Sequence, residues 1–152
     1  MDEQILSVRN LSVIRHYEAD VPFPEFCRLY RTLPYEEERS LRVLSAVLLE
    51  DGDGSRLTVA EEEGGGSTVV RHRKEKGGIT VLRRGELSSE MRFLPGEVTS
   101  FCYVTPFGTL DGEIYTLTAT FAIEKGRGSV TVEYLASLGG ALQKNTVRYT
   151  VV

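Results

Sequence analysis

The sequence has little of what cross-links a chain or anchors it in a membrane. It contains only two cysteines, Cys27 and Cys102, far apart and without a CxxC pair, which excludes a disulfide framework and a cysteine-rich metal site. No apolar run approaches the roughly 20 residues of a membrane-spanning helix, and the start, Met1-Asp2-Glu3-Gln4, lacks the basic and apolar parts of a signal peptide. We therefore expect reduced thiols, a cytoplasmic location and no membrane contact.

Catalytic signatures are missing as well. The chain has no GxSxG, HExxH or Walker loop, and no GxGxxG between a strand and a helix. The two histidines, His16 and His72, lie in separate segments, whereas a metal site needs several ligands close together. We expect no catalytic residues, no metal and no cofactor, and we keep an enzyme of unknown reaction as a minor alternative.

The composition that remains is that of one globular domain spanning residues 1–152, with 41% hydrophobic and 26% charged residues. Fifteen glycines fall between short segments rich in Val, Leu, Thr and Tyr, which is typical of hairpins. The predicted strands are 5–14, 41–49, 56–61, 68–74, 79–84, 90–93, 98–105, 112–123, 129–137 and 145–151. So many strands must hide their edges, which predicts an all-β, mainly antiparallel fold closed into a barrel of about eight to ten strands.

Two segments carry clear periodicity. In the first, Tyr115, Leu117, Ala119, Phe121 and Ile123 alternate with small or polar residues, which predicts a core strand with one apolar face. In the second, Phe26, Leu29, Tyr30 and Leu33 recur at helical spacing between two prolines, which predicts one short helix near residues 24–33. This helix needs a partner for its apolar stripe, either across a mouth of the barrel or on its outer wall.

From Arg56 onward the order of several short motifs resembles a known family. The motifs are Glu61-Glu62-Glu63 before a glycine-rich turn, Ile79-Thr80-Val81-Leu82-Arg83-Arg84-Gly85, Ser88 or Ser89 with Met91-Arg92-Phe93, and Tyr103-Val104-Thr105-Pro106-Phe107-Gly108-Thr109. In this order they resemble the YwiB-like family of small bacterial proteins of unknown function. The resemblance implies a calycin-like, that is lipocalin-like, β-barrel and no known chemistry. Residues 15–40 have no counterpart in it and are predicted to be an inserted segment.

The hairpin formed by residues 68–74 and 79–84 is the most informative candidate for a site. Antiparallel pairing around a turn near Gly77 places six residues on one face: Val70, His72, Lys74, Ile79, Val81 and Arg83. Because Ile79 and Val81 favour this face as the inner one, Arg83 is expected to point into the barrel. A buried guanidinium is costly unless it is paired or holds an anion. Arg83 therefore either forms a structural ion pair or anchors an anionic ligand, unless the register turns it outward.

We expect a non-enzymatic protein that binds an unidentified small molecule in the barrel or at its mouth. This molecule can be an anion. The predicted lining is His72, Arg83, Tyr103 and Tyr115, with Phe26 and Tyr30 as contacts from the helix.

The alternative is an interaction module that binds an acidic protein or RNA through a basic strand face. Its predicted residues are Arg71, Arg73, Arg84 and Arg92. A net charge of −4 argues weakly against general nucleic-acid binding. Homodimerisation through a strand or the helix is a further partner choice that the sequence leaves open.

Overall fold

A computed structural model describes residues 2–61, 66–75 and 77–152. Part of the predicted glycine turn, Gly64 and Gly65, lies outside the described residues, as do Glu62, Glu63 and Lys76. The strands are β1 (Asp2–Tyr17), β2 (Tyr35–Asp51), β3 (Gly54–Ala60), β4 (Ser67–Arg73), β5 (Ile79–Arg84), β6 (Ser88–Phe93), β7 (Val98–Thr105), β8 (Gly108–Glu124), β9 (Arg127–Leu138) and β10 (Ala141–Val151). One α-helix, α1 (Phe23–Leu29), lies between β1 and β2 and continues as a 3₁₀ turn, Tyr30–Thr32.

The strands form one closed barrel. Each strand pairs antiparallel with the strands before and after it, and β10 pairs with β1 to complete the ring. This arrangement confirms the prediction of an all-β closed barrel with one short helix, and it is consistent with a calycin-like barrel. Closure removes the unpaired edges that an open sheet of alternating strands would expose.

The first hairpin is much longer than the others. β1 and β2 pair from Asp2 opposite Glu50 to Tyr17 opposite Tyr35, whereas β3 pairs only with Ala46–Asp51 of β2. The helix therefore lies in a connection of residues 18–34, and the predicted inserted segment of 15–40 includes the ends of both strands. Acidic residues at the start of β2 hide this extension from a sequence pattern that is based on apolar alternation.

The helix packs on the outer wall of the barrel, which is one of the two placements that the sequence left open. Phe26 is fully buried, and its ring contacts Tyr17 of β1 with ring centroids 4.9 Å apart. Leu135 of β9 and Leu142 of β10 complete this cluster from their outward faces. Pro24 in the first turn suits a helix start because the first backbone N–H groups have no helical partner.

A β-bulge in β8 divides the segment whose alternation predicted one apolar face. Thr116 lies opposite Tyr134 but Thr118 lies opposite Glu133, so Leu117 is the extra residue on β8. Ala119, Phe121 and Ile123 pack against the barrel core, whereas Tyr115 and Leu117 pack against the helix outside. The prediction of a single apolar face is therefore wrong, because one inserted residue exchanges the faces.

The core fills most of the barrel interior. Alternate residues of the strands point inward, and the buried apolar ones are Val8, Leu44, Ala46, Leu48, Leu57, Val59, Val70, Ile79, Met91, Phe93, Phe101, Ile114, Ile123, Val130, Val132 and Tyr149. One close approach requires glycine: a Cβ at Gly112 would lie 2.5 Å from Cζ of Phe101 on the neighbouring strand. The glycine thus leaves space for the aromatic ring.

Candidate ligand-binding site

The β4–β5 hairpin has the inward and outward faces that the sequence predicts, although its register pairs His72 with Ile79 and so differs from that of a turn centred near Gly77. Thr68, Val70 and His72 lie opposite Arg83, Val81 and Ile79, respectively, and these residues face inward. Arg83 is therefore at the end of an inward row that begins with buried Ile79. Along β5, the inward side chains are apolar at Ile79 and Val81 and cationic at Arg83. Arg83 lies toward the end of the barrel where β3 ends and β4 begins. We call this end the open mouth, defined by Arg42, Glu61 and Arg83.

A cavity of about 50 Å³ lies inside the barrel below the open mouth. It is lined by Thr68, Val70, Val81, Arg83, Ser89, Met91, Phe93, Tyr103, Val130, Val132, Tyr134, Val147 and Tyr149. One ordered water needs at least about 10–15 Å³ of such space, so the cavity has room for roughly four water-sized groups. The interior is thus largely filled, and only a very small ligand, or a small part of one, fits inside it.

Two tyrosines that the sequence analysis did not assign to the site, Tyr134 and Tyr149, line this cavity with Tyr103. Burial raises the pKa of Tyr134 and of Tyr149, and the positive charge of Arg83 partly opposes both shifts. The guanidinium and both phenols line the same cavity. The signal that could have found Tyr134 is its period-two spacing from Val130 and Val132, which places all three on the inner face of β9.

A hydrogen-bonded network closes one side of the open mouth. Arg42 Nη1 donates to Glu61 Oε2 at 3.1 Å, and Arg42 Nη2 donates to Asn10 Oδ1 at 3.1 Å. Thr68 Oγ1 donates to the other oxygen of Glu61 at 2.9 Å. The network joins β1, β2 and β4 through side chains, so both oxygens of the Glu61 carboxylate already have donors.

Arg83 is on the other side of the mouth and is exposed to solvent. Within residues 2–61, 66–75 and 77–152, the ion pairs join Arg15 and Arg39 to Glu37, His16 to Glu38, and Arg42 to Glu61, and none includes Arg83. Arg83 also lines a solvent-open recess of about 380 Å³ with Arg42, Glu61, Arg84 and Glu86. It therefore lies between the recess outside and the cavity inside.

His72 faces inward as predicted but lies near the opposite end of the barrel from Arg83. Its Nδ1 donates to the carbonyl oxygen of Gly78 at 3.1 Å, and its ring stacks on Phe121 with centroids 5.6 Å apart. It lines a different recess, with Asp51 and Ser55, and not the cavity below Arg83. The structure therefore does not bring His72 together with Arg83 and Tyr103.

The remaining predicted lining residues, Tyr115, Phe26 and Tyr30, all belong to the cluster beneath the helix on the outer wall. None of the three lines the cavity or the recess at the open mouth. Two features of the fold place these three side chains away from the mouth. The bulge turns Tyr115 outward, and the helix packs against β9 and β10 instead of crossing the mouth.

The basic strand face is a row and not a compact patch. Arg71 lies opposite Thr80, and Thr80 lies opposite Arg92, on the outer face of β4, β5 and β6. Arg56 of β3, opposite Arg71, extends the row. Of the other predicted members, Arg73 adjoins Asp51, Asp53 and Glu75 in a mixed-charge recess, and Arg84 lies at the open mouth.

Within the part of the chain that the structure describes, no group of three or more His, Cys, Asp or Glu side chains has the geometry to hold a metal ion. None of the described helices is long and apolar enough to span a bilayer. Cys27 and Cys102 are both unpaired thiols; Cys27 is half-buried, and burial raises its pKa to about 11.

The fold and site define a class of protein: a closed ten-stranded antiparallel barrel with a small polar-ended cavity below an arginine. The chain belongs to the family described as a domain of unknown function, DUF1934, whose model matches residues 35–148. It is similar to the crystal structure of the ywiB protein from Bacillus subtilis, with a TM-score of 0.67 and 22% sequence identity over 99% of this chain and 93% of that chain. These matches confirm the YwiB-like resemblance and the fold. A comparison with curated proteins gives no match.

Proposed function

We propose that the protein binds a small anionic molecule non-enzymatically at the open mouth, with the anionic group against Arg83. The observation that carries this proposal is the position of Arg83. It is the last inward residue of β5, it lines the same cavity as the phenols of Tyr134 and Tyr149, and no described carboxylate pairs with it. A guanidinium in such a place is well suited to a carboxylate or phosphate because it donates several hydrogen bonds in one plane.

The hydroxyl groups below Arg83 favour a polar ligand over an apolar one. Tyr103, Tyr134 and Tyr149 reach the cavity with Ser89 and Thr68, and no hydrogen bond joins any of the three phenols to another described residue. Each phenol has a donor and an acceptor to offer. A ligand oxygen held by Arg83 would lie within this ring of hydroxyl groups.

The size of the two spaces limits the ligand. The inner cavity of about 50 Å³ takes roughly four non-hydrogen atoms, whereas the outer recess of about 380 Å³ takes more. Typical small-molecule sites measure about 300–1,000 Å³. The ligand therefore places at most a short group inside the barrel and keeps any larger part in the recess between Arg42 and Arg84.

The test compares butyrate with n-butanol, its neutral analogue of similar size, by isothermal titration calorimetry. We expect butyrate to bind and n-butanol not to bind. Arg83→Gln should weaken butyrate binding at least about tenfold, because hydrogen bonds to charged groups contribute about 1.5–3 kcal/mol.

Arg71→Gln is the matched control, since it removes the same charge from the outer face of the neighbouring strand and should leave butyrate binding unchanged. Phosphate is titrated in the same way as a second anion. The proposal is wrong if neither anion binds the wild type, or if both variants bind the anion as the wild type does.

The second candidate is the binding of RNA or an acidic protein through the arginine row. It is favoured by one observation that the sequence did not supply: Arg56 joins Arg71 and Arg92 in a line across four strands, β3 to β6, with Thr80 of β5 between Arg71 and Arg92. Binding of polyuridylate should fall steeply with salt if this surface is used, and Arg71→Gln should weaken it. Butyrate binding at Arg83 should not depend on Arg71.

A cytoplasmic location, which the two free thiols favour, stays a prediction.

A further inference from the structure

The part of β2 that extends beyond β3 has an unpaired edge. β2 pairs with β1 along its whole length but with β3 only from Ala46 to Asp51. From Tyr35 to Leu41, no described strand pairs with the other edge of β2, which leaves one row of backbone N–H and C=O groups without a strand partner. Such an edge is a ready template for an added strand, and proteins either protect it or use it.

The outward residues of this edge are apolar at its two ends and charged between them. Because Leu44, Ala46 and Leu48 point inward, the odd-numbered residues of β2 point outward. Tyr35 is 47% exposed and Leu41 is 63% exposed, with Glu37 and Arg39 between them. A purely protective edge would have no need of two exposed apolar side chains.

We propose that this edge pairs antiparallel with the same edge of a second copy of the chain, with Glu38 at the two-fold axis. In this register Glu37 lies opposite Arg39 of the second copy, and Tyr35 lies opposite Leu41 of the second copy, each twice by symmetry. Opposite charges and aromatic–aliphatic pairs directly across two strands are favourable. The register ends at Leu41, before Arg42, whose side chain is already bound to Glu61 and Asn10.

One contact in this register is unfavourable, because the two copies of Glu38 face each other. His16 Nε2 donates to Glu38 Oε1 at 2.9 Å within each chain, which offsets part of that repulsion. The pairing is independent of the proposed ligand site, since Arg83 and the phenols lie outside it.

A charge exchange tests both the edge and its register. Glu37→Arg alone sets the introduced arginine opposite Arg39 of the second copy, and Arg39→Glu alone sets the introduced glutamate opposite Glu37 of the second copy. Each variant should therefore weaken its own dimer at least about tenfold. In a one-to-one mixture of the two variants every facing pair is again of opposite charge. The mixture should form a heterodimer, as measured by sedimentation velocity over a concentration series, with one variant carrying a fluorophore.

The matched control is Glu90→Arg and Arg92→Glu, a pair of exposed residues with the same spacing on β6. These changes should leave the wild-type dimer intact. Glu38→Gln should tighten it, since the like-charge contact is lost. A wild type that stays monomeric at every concentration overturns the proposal, and so does a mixture that forms no heterodimer or single variants that still dimerise like the wild type. Thermal melts confirm that each variant is folded.

Discussion

The two halves of the barrel interior are built from the same strands but differ in what fills them. We call the half farther from the open mouth the closed half. There, Leu48, Ile79 and Ile123 are buried in one apolar cluster, and none of them lines the cavity. In the open half, Arg83 and five side chains with hydroxyl groups line a small space together with seven apolar side chains. Four residues along β5, about 13 Å of strand, separate Ile79 from Arg83. The residue type at each inward position thus decides whether a barrel of this size is a packed core or a receptacle.

The largest expected effect comes from truncating a buried side chain in the closed half. Leu48 is 1% exposed, and Leu48→Ala should lower the free energy of unfolding by about 2–5 kcal/mol, because the lost transfer energy adds to the energy of the cavity left behind. Urea denaturation measures it. Leu110→Ala makes the same chemical change at an exposed site on β8, outside the proposed dimer edge, and should stay within about 0.5 kcal/mol of the wild type. A loss below about 1 kcal/mol at Leu48 would mean that this half is not closely packed.

A smaller effect separates the packed core from the cavity wall, when one methylene is added to a residue of each. Val59 is fully buried and does not line the cavity, so Val59→Ile should cost about 1–3 kcal/mol through overpacking. Val132 lines the cavity, so Val132→Ile has space for the extra carbon and should change the free energy of unfolding by less than about 0.5 kcal/mol. Equal losses of unfolding free energy in the two variants would contradict the difference in packing between the core and the cavity wall.

The smallest expected effect is a pH dependence of stability that comes from Tyr134 in the open half. Burial raises the pKa of Tyr134, whereas the unfolded phenol ionises near pH 10. Above that pH the folded state therefore binds more protons than the unfolded state, and the stability of the wild type falls as the pH rises.

Tyr134→Phe removes this contribution, so the variant should lose less stability than the wild type between about pH 9 and about pH 11. Urea unfolding at each pH measures it. Tyr35→Phe, at an exposed site, is the control and should follow the wild type. The interpretation fails if Tyr134→Phe shows the same alkaline loss as the wild type.

Much of the fold follows from local pattern. All ten predicted strands exist, because alternation and glycine-rich turns are short-range signals that tertiary contacts did not override. The facing of Arg83 was predictable because two apolar neighbours, Ile79 and Val81, determine which side of β5 is inside. The resemblance to the YwiB-like family supported the same barrel.

The site was harder to predict because it depends on contacts between distant strands. Tyr115 was misplaced because a bulge is not visible in an alternating sequence, and the predicted face of β8 was right only beyond Leu117. Tyr134 and Tyr149 were not assigned to the site, since nothing local shows which inward side chains border the cavity. The pairing of Glu61 with Arg42, and not with Arg83, depends on how far β2 extends past β3.

By itself the sequence determined the strands, the inward faces of β4 and β5 and the presence of one short helix, because these depend on residue spacing along the chain. The tertiary structure alone decided where the helix packs, which tyrosines meet Arg83 and which edge of β2 stays unpaired. The physical reason is that closing a barrel joins residues that are far apart in sequence, through register and stagger that no local pattern records.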